Sequence, residues 1–185
     1  MSMAASPFLS EVSDKIGPLI VMGVSGCGKS SVGKLLASSL GRTFIEGDSR
    51  HPLANVEKMR MGRALTDEDR WPWLEVLGDE LAANDQTVIS CSALKRSYRD
   101  LLRQKAGRPL IFVFLQGDRS LLAARMGARQ HEYMPLSLLD SQLSTLELPC
   151  EEDDVVTLDI EPSPEKIASL AIARIAALDN LRISN

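Results

Sequence analysis

Residues 23–30 read Gly-Val-Ser-Gly-Cys-Gly-Lys-Ser and satisfy G-x-x-x-x-G-K-[ST], the phosphate-cradling P-loop. Each constrained position has a physical task. Gly23 and Gly28 permit backbone angles that a Cβ resists, so consecutive N–H groups can turn inward on an anion. Lys29 carries a mobile cation toward a nucleotide's β- and γ-phosphates, and the Ser30 hydroxyl is suited to a Mg²⁺ shell. The flanks agree. Leu19-Ile20-Val21-Met22 reads as a buried strand, and Val32, Leu35, Leu36 and Leu40 recur on one face of a following helix. That helix points its N-terminus at the anion. The expected nucleotide cradle is therefore Gly23, Ser25, Gly26, Cys27, Gly28, Lys29, Ser30 and Ser31.

The rest of the chain repeats the strand-then-helix pattern. Strands are expected at 43–45, 87–91, 110–115 and 155–158, the fourth in chain order being the most continuous apolar run and reading as central. Helices are expected at about 53–61, from the acids and proline of 66–73 onward, at 97–105, 119–128 and 136–147, and at the C-terminus. This alternation defines an α/β domain with a five-stranded parallel sheet covered on both faces. Ligands then bind beyond the carboxyl ends of the strands. We divide the chain into a loosely ordered N-terminal extension at 1–16 and a single P-loop domain at 17–185. An irregular basic stretch at 129–135 separates two of these helices, and the segment near 125–147 reads as a lid.

At 185 residues with 44% hydrophobic and 25% charged residues, the chain can bury one proper core. A formal net charge of −4 speaks against non-specific binding to nucleic acid or anionic membrane. Cys27, Cys91 and Cys150 form no C-x-x-C pair, and His51 and His131 stand far apart, which disfavours a zinc site. Reduced thiols, no leader-like segment in 1–17 and no membrane-length apolar run lead to the expectation of a cytoplasmic protein.

Asp48 falls just past the second strand, on the ligand rim. Its carboxylate could accept a substrate hydroxyl proton or bind Mg²⁺ through water, while a turn or cap role is the bland alternative. The third strand, Val88-Ile89-Ser90-Cys91, lacks the aspartate that often completes the metal shell in P-loop NTPases, which shifts weight to Asp48. Cations cluster at 50–63, 95–103 and 119–129. Some lie on solvated faces, and the remainder suit an anionic acceptor. Arg125 and Arg129 flank the irregular segment, where a closing cover would bring them to the γ-phosphate and exclude water. His51 is open between substrate contact and a local turn bond. Trp71 and Trp73 read as packing, and Cys27 as filler within the loop.

Several segments together resemble the gluconokinase family of small P-loop kinases. They are Met22 to Ser30, Glu46-Gly47-Asp48 with His51-Pro52, Asn55 to Met59, Leu65 to Leu74, Cys91 to Lys95 with Tyr98-Arg99-Asp100, Ser141-Gln142 and Leu146-Glu147. The resemblance implies an adenylate-kinase-like fold with a helical lid, ATP and Mg²⁺ as co-substrates, D-gluconate as acceptor, 6-phospho-D-gluconate as product, and a homodimer. It implies Asp48 at the acceptor hydroxyl with His51, Lys58, Lys95 and Arg99 near the sugar acid, Ser30 and Asp48 at the metal, and Lys29, Asp48, Arg125 and Arg129 in catalysis. The adenine would lie around 161–163. One departure stands in the lid, where His131-Glu132-Tyr133 replaces the family's usual Gly-His-Phe. A shikimate-kinase-like enzyme and an acceptor-free nucleotide switch are the alternatives.

Overall fold

The computed structural model describes residues 9, 12, 13, 15–128 and 136–183. Its elements are β1 (Leu19–Met22), α1 (Lys29–Leu40), β2 (Thr43–Glu46), a short 3-10 turn (Gly47–Arg50), α2 (Leu53–Arg60), α3 (Asp67–Ala83) and β3 (Thr87–Cys91). There follow α4 (Arg96–Ala106), β4 (Ile111–Gln116), α5 (Arg119–Gly127), α6 (Leu136–Thr145), β5 (Val155–Asp159) and α7 (Pro164–Ile183).

The five strands form one parallel sheet in the order β2-β3-β1-β4-β5. The P-loop strand β1 holds the centre, paired Leu19 to Val88 on one side and Leu19 to Ile111 on the other. The apolar run expected to be central is β4, an interior strand one place from the edge. All four residues of β1 are buried. Because side chains alternate between faces, both faces of the sheet must be covered. Helix α1 packs against α7 and β3, and α3 packs against α4.

Local chemistry sets the boundaries. Gly41 takes a left-handed conformation (φ 66°) and its N–H closes α1 onto Ala37 and Ser38 carbonyls. Thr66 and Asp69 form a reciprocal capping box at the start of α3. Pro72 lies inside α3 rather than at its first position. The stripe Trp73, Leu74, Leu77 and Leu81 is fully buried, as its helical spacing predicts.

Three residues assigned to the loose extension, Val12, Ser13 and Ile16, are buried and in contact with the core. The Arg42 guanidinium donates to the carbonyls of Ser13, Ile16 and Gly17, and Ser13 Oγ donates to Leu40 O. A buried arginine needs several acceptors, and this backbone supplies them.

Candidate active site

The P-loop spans the gap between β1 and α1, and Gly28 (φ 94°) makes the turn that aims the α1 N-terminus into the rim. Gly23 and Gly26 also adopt positive φ. Lys29 Nζ donates to Val24 O at 3.0 Å, which folds the ammonium over the loop. Ser30 and Ser31 occupy the first turn of α1, Ser31 facing solvent. Cys27 is buried beneath the loop, consistent with a filler role.

Asp48 rides on the 3-10 turn after β2, and that turn is fastened on three sides. A Cβ on Gly47 would come within 2.0 Å of the Ser90 carbonyl oxygen, so only glycine allows the approach. Gly47 N–H donates to Ser90 Oγ at 3.1 Å. Trp73 Nε1 donates to Gly47 O at 2.8 Å. The Asp48 carboxylate itself stays 67% exposed and is carried into position by this fastened backbone.

His51 stacks on Trp73, with ring centroids 4.0 Å apart and planes 19° from parallel. Asn55 Nδ2 donates to Asp69 O at 2.7 Å, which fixes its amide, and the same nitrogen lies 3.3 Å from His51 Nδ1. His51 Nδ1 is thus the acceptor and Nε2 carries the proton. Burial pushes the His51 pKa down to about 4; Asp48 opposes that shift and Arg70 adds to it. The ring is neutral at neutral pH, with Nε2 3.9 Å from Asp48 Oδ1.

One pocket joins these pieces. Ser25 and Lys29 of the P-loop line it together with Asp48 and His51. Met59, Arg63, Arg70 and Ser92 extend the wall, and Leu138, Ser141 and Gln142 of α6 roof it. Its volume is about 40 Å³. Arg70 is buried, donates to Ser92 Oγ at 3.5 Å and lies over the Tyr98 ring. Among the described residues neither Arg63 nor Arg70 forms an ion pair. The two cations share this cavity with a single lining carboxylate, that of Asp48, and among the described residues neither is paired to it.

Three of the five expected acceptor residues do not line this pocket. Lys58 is paired with Asp69, whose carboxyl is held down at about 2 by hydrogen bonds from Lys58 and the Thr66 backbone. Lys95 donates to both oxygens of Asp67 at 2.8 and 2.7 Å. Arg99 is a correction. Its side chain is completely buried, and its donors are spent on Glu152, on the carbonyls of Ala93 and Leu94, and on Glu147 O. A guanidinium so saturated has no N–H left for a substrate.

Arg125 also differs from its expected position. Its Nη2 donates to Ile160 O at 2.7 Å, beside the turn after β5, and it is not part of the pocket wall. Arg129 and the 131–135 stretch lie outside the described residues. A separate cavity of about 520 Å³ lies at the ends of β4 and β5 and is lined by Asp118, Asp159 and Glu161 among others. Its acidity does not suit a phosphate.

Residue-type reasoning missed Arg63, Arg70, Ser92 and Gln142 as wall residues. The signals were present. Arg70 sits in an otherwise acidic helix start, Arg63 closes a noted basic cluster, and Ser92 and Gln142 fall inside the segments that carry the family resemblance. What was missing was their depth and direction.

A parallel sheet, a P-loop at its central strand and an acid-and-arginine pocket beside the loop define a small-molecule kinase of the P-loop class. A family model described as shikimate kinase matches residues 25–175. A shikimate kinase from Acinetobacter baumannii, solved with shikimate, shares the fold with a TM-score of 0.62 at 19% identity, covering 91% of this chain and 97% of that one. Much stronger similarity points elsewhere within the class. A gluconokinase of Gluconobacter oxydans is 45% identical over 165 residues, 87% of this chain and 92% of the relative. The crystal structure of a gluconokinase from Sinorhizobium meliloti 1021 matches with a TM-score of 0.85 at 50% identity, covering 91% and 97% of the two chains. The chain belongs to the gluconokinase family. It is an ATP-using kinase, and among its described residues no helix is long and apolar enough to cross a membrane.

Proposed function

We propose that this protein transfers the γ-phosphoryl group of ATP to the primary hydroxyl of D-gluconate, giving 6-phospho-D-gluconate and ADP. The observation that carries this reading is the pocket itself, which brings Ser25 and Lys29 of the P-loop together with Asp48 and two arginines that form no ion pair among the described residues. A sugar acid brings the anion those arginines lack and the hydroxyl that Asp48 can orient.

The P-loop amides and Lys29 bind the triphosphate, and Asp48 accepts a hydrogen bond from the attacking hydroxyl. An ordinary carboxylate is a weak base, but the loose transition state of phosphoryl transfer needs position and charge neutralisation more than early deprotonation. Neutral His51 presents its Nε2–H toward the acceptor side, and Arg63 and Arg70 hold the acceptor's carboxylate. Lys58 and Lys95 act at one remove, fixing Asp69 and Asp67 at the start of α3, the helix that carries Arg70. Arg125 serves the nucleotide side near the turn after β5, and Arg129 is assigned to the lid.

Magnesium suits the donors present. Mg²⁺ keeps several waters and takes one or two protein oxygens plus phosphates, and Ser30 with the exposed Asp48 carboxylate offers such a sparse set. When bound it would neutralise phosphate charge. The enzyme is proposed to work as a cytoplasmic homodimer.

The test is ADP release from Mg²⁺-ATP with D-gluconate, shikimate, related aldonic acids or no acceptor in parallel. Release with D-gluconate alone is the expected result; release with shikimate instead would overturn the acceptor assignment. Asp48→Asn should lower turnover about a hundredfold or more with ATP affinity changed little. Equal losses in both would confine Asp48 to the metal site and remove it from the acceptor hydroxyl.

A further inference from the structure

Gln142 occupies an unusual place for a side chain. Its Oε1 accepts the Ser25 backbone N–H at 2.7 Å, across 117 positions of sequence. Ser25 is the third residue of the P-loop motif, so a side chain of α6 bonds directly to the loop that faces the phosphates. Because the partner is an N–H, the oxygen of the carboxamide must point to the loop and its Nε2 must point away from it. Among the described residues that Nε2 makes no hydrogen bond, and Gln142 lines the pocket that also holds Lys29 and Asp48.

The helix behind it is well anchored. Leu138 and Leu139 are buried, and Asp140 accepts from Arg119 at 2.6 Å. Beyond the C-terminus of α6, Glu147 N–H donates to Leu94 O at 2.8 Å, and the Glu147 carboxylate accepts the Arg96 N–H at 2.7 Å. Gln142 is thus presented from a braced element rather than a free loop. The pocket below admits about 40 Å³, room for only a few waters. Gln142 lines this pocket with Lys29 and Asp48, so an acceptor seated beside those two comes close to its carboxamide.

We propose that Gln142 is an acceptor-positioning and specificity residue, whose Oε1 registers it on the P-loop while its Nε2–H donates to one hydroxyl oxygen of a polyhydroxy-acid acceptor. This rests on the sugar-acid kinase reading above. It assigns the site a hydroxyl-reading group in addition to the arginines that read charge. A site built to hydrogen-bond a hydroxyl discriminates strongly against the analogue lacking it, because the buried donor is then left unpaired.

The experiment crosses two variants with a series of singly deoxygenated D-gluconates, measuring kcat and KM for acceptor and, separately, the affinity for ATP by calorimetry. Gln142→Leu removes both ends of the amide; Gln142→Glu keeps an acceptor for Ser25 N–H but loses the donor. Wild type should disfavour one particular deoxy analogue by about tenfold or more in kcat/KM. Both variants should lose that discrimination, raise the KM for gluconate by about tenfold, and leave the ranking of the other deoxy analogues unchanged. Gln142→Leu should bind ATP at least as tightly as wild type, since no side chain then competes for Ser25 N–H. A uniform loss across all acceptors, or a matching loss of ATP affinity, would show a structural clip and overturn the proposal. Wild-type turnover separates the two readings. If no aldonic acid supports ADP release both fail, whereas normal gluconate turnover without hydroxyl-specific coupling defeats the Gln142 assignment alone.

Discussion

Two groups of arginines sit on the same domain and have opposite surroundings. Arg99 and Arg103 share Glu152, and Arg103 adds Asp154 and Asp100. Burial pushes the Glu152 carboxyl up, yet the two guanidinium groups outweigh it and hold the pKa below its ordinary value. Arg63 and Arg70 face the pocket, whose one carboxylate, Asp48, is paired to neither of them among the described residues. The first group is electrostatically complete and can only hold the α4 end to the segment before β5. The second is incomplete, and an anionic ligand completes it. A cation's role is decided by whether the fold has already supplied its counter-charge.

The contrast can be broken or sharpened by experiment. Lys29→Ala lies at the functional extreme: turnover should fall by at least about a thousandfold with an unchanged melting temperature. Wild-type turnover in that variant would remove the P-loop from the chemistry. Arg99→Met lies at the structural extreme. Leaving Glu152 buried beside a single arginine should cost about 3–5 kcal/mol, lowering the melting temperature by on the order of 10 °C. The surviving folded enzyme should keep its acceptor KM; a large KM increase would return Arg99 to the acceptor site.

Arg70→Met should show the converse pattern. Acceptor KM should rise about thirtyfold, equivalent to about 2 kcal/mol for a lost charge-assisted bond, with ATP affinity held. A purely thermal effect there would merge the two arginine groups into one. The smallest effect concerns His51. Its folded pKa of about 4 lies below the ordinary 6.5, so the unfolded chain binds the extra proton and stability falls as pH drops from about 6.5 to 4. Between pH 6.5 and 4.5 this contribution is about 2 kcal/mol. Denaturant titrations should show a shallower pH slope for His51→Phe, which keeps the stack on Trp73. An identical slope would mean the ring is already solvated.

Much of the site was legible because its chemistry is local. The P-loop is a contiguous string whose glycines, lysine and serine must be adjacent to work, and the capping box at Thr66 and Asp69 spans a single turn. Asp48 could be placed because it follows a strand end. Lys58, Lys95 and Arg99 misled for the same reason: they stand in motif segments rich in cations, and a one-dimensional string does not show that Asp69, Asp67 and Glu152 fold back to neutralise them. Glu152 is 53 positions from Arg99.

The sequence by itself determined the parallel α/β class, the P-loop and the family, since strand-helix alternation and a contiguous glycine-rich loop are written in neighbouring residues. Only the tertiary structure decided which strand is central, which arginines remain unpaired and which side chain of α6 reaches the P-loop. Those depend on contacts between residues far apart in the chain, and pairing across such distances is fixed by packing rather than by local pattern.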